Sequence, residues 1–94
     1  MSYEYLVIDT DGEETHVVAD EKPDLYKMQE MVDGNIELVV CRYEDGNKHM
    51  IINEEGKLDG LKINAKATKM YLDLHDVNDT INGKAIVFKN FEID

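Results

Sequence analysis

The stretch Ile51–Leu72, IINEEGKLDGLKINAKATKMYL, sets the tightest limit on what this chain can fold into. An apolar run gives way to an acidic turn, then to a glycine-paced connector, then to an amphipathic helix opened by an asparagine. Asn64 is suited to cap that helix, because its side-chain oxygen can accept from the free N–H groups of the first turn. Ala67, Met70, Tyr71 and Leu74 follow at i, i+3, i+4 and i+7, which lines up one apolar stripe. Lys66 and Lys69 lie off the stripe and read as solvated. A run of this kind builds a scaffold and exposes no reaction centre.

The flanking sequence supplies the remaining elements. Tyr3 to Ile8 is β-prone, and Asp11-Gly12 marks a turn before His16-Val17-Val18-Ala19, so a hairpin with a loop longer than two residues is expected. Pro23 suits the first turn of a helix running to Val32, with Leu25, Met28, Gln29 and Val32 on one face and Gly34 as the residue that stops it. Ile36 to Tyr43 is apolar on nearly both alternations, the mark of a central strand covered on both sides. An Asp45-Gly46-Asn47 turn returns the chain into Met50-Ile51-Ile52. Asn53-Glu54-Glu55-Gly56 is a further turn, with Gly56 supplying the permissive backbone. Asn82-Gly83 then leads into a last strand, Ala85-Ile86-Val87-Phe88. The order is β-β-α-β-β-α-β. It predicts an α+β fold over residues 1–94 as a single domain, a mostly antiparallel sheet of about five strands carrying two helices.

Composition bounds the partners. A chain of 94 residues with 10 basic and 21 acidic side chains carries a formal charge of −11. That balance opposes direct nucleic-acid binding, in which Lys and Arg contacts to phosphate dominate, and it repels anionic membranes. A chain this small buries only about 60–65% of its unfolded surface, so association into a homodimer would add stability. No stretch approaches the roughly 20 apolar residues that span a bilayer, and the first residues lack the basic start and apolar run of a signal peptide. The expected location is the cytoplasm. Cys41, the one cysteine, lies in an apolar run and reads as a small buried thiol with no nucleophilic role.

From Gln29 to Phe88 the order of short motifs is more specific than any one of them. A helix end carries Gln29, Val32 and Gly34, followed by Ile36-Glu37 and an apolar strand. The phrase Asn53-Glu54-Glu55-Gly56-Lys57-Leu58 comes next, then Asn64, Ala67 and Thr68 at a helix start. Ile81, Gly83 and Ala85-Ile86-Val87 close the series. In this order and spacing, over about two thirds of the chain, the sequence resembles a family of small proteins from phages, large DNA viruses and bacterial conjugative elements, known as a domain of unknown function. The resemblance implies a phage or mobile-element accessory protein, in a family often found beside antirestriction and counter-defence genes. It brings no catalytic residue with it.

Few residues offer chemistry of their own. Asp9, Asp11, Glu13 and Glu14 contain part of a calcium-loop pattern, but the glycine comes too early and strands flank it, so a solvated hairpin loop is expected. His16, His49 and His75 are scattered and show no zinc-ligand spacing, so no metal and no cofactor is expected. Asn53, Glu54 and Glu55, with Lys57 beside them, form the candidate binding segment: the glutamates can accept from a partner's Arg or Lys. The structural alternative has Asn53 holding the turn while the glutamates stay in water. Met31, off its helical stripe, is the residue expected at a subunit contact. The reading that follows is a non-enzymatic module binding a host protein or a second copy of itself. Two alternatives stand beside it, an acidic DNA-mimic decoy of a host restriction or defence protein and a small-ligand sequestering protein.

Overall fold

The computed structural model describes residues 2–44 and 46–93. Five strands form one sheet: β1 (Tyr3–Ile8), β2 (Glu14–Ala19), β3 (Ile36–Tyr43), β4 (Gly46–Asn53) and β5 (Ala85–Phe88). Helix α1 (Leu25–Val32) links β2 to β3, and α2 (Ala65–Leu72) lies between β4 and β5. The strand order is β2-β1-β5-β4-β3, and every pairing is antiparallel. Both the α+β class and the order of elements expected from the sequence are therefore present. Among the described residues, no helix is long and apolar enough to cross a membrane.

The sheet is covered on both faces, because successive strand residues point to opposite sides. Leu6, Ile8, Met50, Ile52, Ala85 and Val87 face one side, where Ala67, Met70 and Tyr71 of α2 pack on them. Tyr5, Ile51, Ile86 and Phe88 face the other, against Met28 and Val32 of α1. With only eight residues α1 makes little more than two turns. Phe91 and Ile93, just after β5, cover sheet that the helix does not reach.

Several expectations need correction. β3 is an edge strand, not a central one. The central place belongs to β5, which is buried at all four positions and pairs with both β1 and β4. Apolarity on both alternations of β3 reflects cover from the two helices: Val39, Cys41 and Tyr43 pack on the α2 side and Ile36 on the α1 side. Leu38 on the same strand remains 45% exposed. Helix α1 begins at Leu25 and leaves Pro23 outside, since Asp24 caps it by accepting from the Lys27 N–H at 2.8 Å. Leu25 is 50% exposed and not in the core, because a helix this short buries only Met28 and Val32 against the sheet, with Met31 partly covered beside them.

The ends of the elements also differ in detail. Asp33, not Gly34, takes the left-handed conformation that stops α1, with φ 62°. Gly34 then donates its N–H to the Gln29 carbonyl at 3.0 Å. Of the expected turn before β4, Asp45 lies outside the described residues, while Gly46 and Asn47 already belong to β4 and Gly46 pairs with Tyr43. Gly56 has no positive φ. A side chain there would run into the Asn82 carbonyl oxygen, so close approach of two loops explains the glycine.

Candidate functional site

The segment singled out in the sequence forms one wall of a surface groove of about 300 Å³. Asn53, Glu54, Glu55 and Lys57 line it at the end of β4. Glu37 and Val39 of β3, Tyr71 of α2 and the chain from Asp79 to Asn82 complete it. Met31 is elsewhere. It is half-buried against the core on the α1 side and takes no part in the groove.

Asn53 is the structural anchor of this wall. It is buried, and its Nδ2 donates to the carbonyls of Val32 at 3.0 Å and Asp33 at 3.3 Å, tying the end of α1 to the end of β4. Its Oδ1 accepts from the Glu55 N–H at 2.8 Å. Glu54 donates its own N–H to the Asn35 carbonyl at 2.8 Å. These bonds fix the backbone of the two glutamates and leave their side chains exposed. On the far wall, Asp79 forms an ion pair with Lys57. The rim thus holds four carboxylates, from Glu37, Glu54, Glu55 and Asp79, against the single ammonium of Lys57. Leu58, 86% exposed, and Tyr71 supply apolar surface beside them.

A second buried asparagine sets the other wall. Asn64 caps α2, accepting from the Ala67 N–H at 3.1 Å, as its position in the sequence implied. Its Nδ2 also donates to the carbonyls of Ile8 and Gly83, each at 3.0 Å, which joins α2 to the end of β1 and the approach to β5. Thr68 completes the seam: its hydroxyl oxygen accepts from the Ile81 N–H at 2.9 Å and holds the Asp79–Asn82 chain against α2.

His75, just beyond α2, stacks on Tyr71 with ring centroids 4.3 Å apart. Its Nε2 donates to the Val40 carbonyl at 2.7 Å, so that carbonyl points away from β4. In the acidic loop after β1, Asp9 and Asp11 accept from backbone N–H groups of Thr10 and Glu13, and Lys66 of α2 bonds the Gly12 carbonyl and Glu14. Among the described residues no three His, Cys, Asp or Glu side chains gather as metal ligands would. Burial pushes the Cys41 thiol up to about 11, which keeps it protonated and unreactive near neutral pH.

With this geometry in place, comparison with known proteins adds the family. The chain matches, over residues 3–92, the family described as Domain of unknown function (DUF3846). It belongs to that family. No curated protein and no solved structure matches the chain. The DUF3846 match takes in all five strands and both helices, so it reaches past the Gln29–Phe88 motifs to include the N-terminal hairpin. Both groove walls fall inside it.

The contributions of Glu37, Tyr71, Asp79 and Thr80 were not foreseen from the sequence. No spacing signal could have found them, since three separate parts of the chain, β3, α2 and the Asp79–Asn82 segment, bring them to one place.

Proposed function

We propose that this chain is a non-enzymatic protein-binding module encoded by a phage or mobile element. It acts through protein contacts in the host cytoplasm, with counter-defence as its setting. The observation that carries this reading is the groove itself. A braced backbone presents exposed glutamates next to the exposed Leu58 and the half-buried Val39 and Tyr71, the mix of polar and apolar surface that protein interfaces use. The resemblance of the motif series to that of phage and mobile-element proteins supports the setting. Met31, away from the groove, is the residue proposed for a homodimer contact.

The test is affinity purification from host cells with the unaltered chain and with a Glu54→Arg/Glu55→Arg variant. A stoichiometric partner recovered with the first and lost with the second is the expected result. No partner across several hosts, or equal recovery with the variant, overturns the proposal.

The charge of −11 favours a second reading, an acidic decoy that occupies the DNA-binding surface of a host defence protein. Its partner would be basic, and binding would weaken steeply between 50 and 300 mM salt, on the order of tenfold or more. Salt-insensitive binding removes this reading.

A further inference from the structure

We propose that the open edge of β3 beside the groove is a strand-addition site, and that its occupant is an extended segment of a partner protein with Lys or Arg at alternate positions. The proposal rests on the protein-binding reading above and names the kind of partner.

The register of the sheet carries the argument. Along an antiparallel edge strand, every second residue turns both its N–H and its C=O away from its neighbour. The His75 bond identifies Val40 as one of these outward residues. Ile36, Leu38 and Arg42 share its alternation, since β3 pairs with β4 without a bulge from Ile36↔Asn53 to Tyr43↔Gly46. His75 already occupies the Val40 carbonyl. Among the described residues nothing bonds the outward groups of Ile36 and Leu38. Proteins commonly blunt such edges with charge, proline or a bulge. Here Glu37 and Arg42 put charge on β3, but Leu38 between them leaves an apolar side chain 45% exposed on the open edge.

The groove says what an added strand would carry. Glu37 and Val39, on the opposite alternation, both line it. Every second side chain of a segment laid along β3 would therefore enter the groove beside Glu37, Glu54 and Glu55. Backbone bonds to Ile36 and Leu38 give affinity in this mode, and the pocketed side chains give selectivity. Carboxylates on the rim select Lys or Arg. A second copy of this chain is the poorer occupant of this edge, because its own β3 would bring Glu37 against the carboxylates of the rim.

The experiment uses the full chain and a capped peptide of alternating Lys and Val. Three controls accompany it: the same peptide with Glu for Lys, the Lys peptide N-methylated at alternate residues, and a Glu37→Lys variant of the protein. Binding is read by fluorescence anisotropy and amide hydrogen exchange. The expected result is protection of the Ile36 and Leu38 amides by the Lys peptide. Affinity should fall at least tenfold with Glu37→Lys, with the Glu peptide and with the N-methylated peptide. Equal binding of the N-methylated peptide shows charge attraction without strand addition and overturns the proposal. So does protection elsewhere, concentration-dependent protection without peptide (a second copy on the edge), or no binding at all. The wider reading fails separately. If the affinity-purified partner binds but leaves the Ile36 and Leu38 amides exchanging freely, the edge is not its site and the protein-binding proposal stands.

Discussion

Two asparagines do more here than their neighbours in sequence announce. Asn64 is fully buried and spends its oxygen on the α2 cap and its amide hydrogens on two strand-end carbonyls. Asn64→Ala removes all three bonds and takes the side-chain donor from the buried Ile8 and Gly83 carbonyls, at an expected cost of about 3 kcal/mol. Asn64→Asp keeps the cap acceptor but loses both donors and sets a carboxylate against those carbonyls. It should destabilise at least as much as alanine, and urea denaturation of the two variants measures this. An aspartate variant as stable as the parent would mean the strand-end bonds contribute nothing. Sequence alone revealed the cap, because capping depends on neighbours a few residues away. The bonds to Ile8 and Gly83 were hidden because those partners are distant in the chain.

At the scale of elements, helix ends and strand positions separate what is local from what is not. The Asn64 start of α2 and the β5 segment are where the sequence places them. The end of α1 is not, since Asp33 takes the positive φ one residue before the glycine. A left-handed conformation is strained for a residue with a Cβ, although Asp tolerates it better than most. Asp33→Gly should therefore stabilise the fold by about 0.5–1 kcal/mol, visible as a higher thermal midpoint. A lower midpoint would show that the aspartate side chain supports the cap in another way. The place of β3 could not be read from its own residues. Helical cover makes an edge strand look central, and only the insertion of β5 between β1 and β4 decides which it is.

For the whole molecule, the buried thiol gives stability a pH dependence. Cys41 has no exposed surface, and burial raises its pKa from 9.0 to about 11. Tyr43 is raised in the same direction, first by burial and then by the charge and hydrogen bond of Glu44. Below pH 9 the thiol keeps its proton in both folded and unfolded chains, so its contribution is complete. Between pH 9 and 11 the unfolded chain releases that proton first, and folding stability falls. The thiol's share is about 2 to 3 kcal/mol over that interval. Urea midpoints from pH 8 to 10.5 should drop for the natural chain and drop less for Cys41→Ala, whatever its starting stability. Parallel slopes for the two would remove Cys41 as the cause.

The sequence by itself determined the number and order of strands and helices, the cap of α2 and the segment from Asn53 to Lys57 as the place to look. All of these rest on periodicity, turn chemistry and contacts within a few residues. Tertiary structure alone decided that β3 lies at an open edge, that Asn53 is a buried clamp while Glu54 and Glu55 face solvent, and that Glu37, Tyr71 and Asp79 meet them. Those outcomes depend on which strands become neighbours and which loops cross. Pairing of that kind is set by burying two sheet faces at once, and no single stretch of chain carries it.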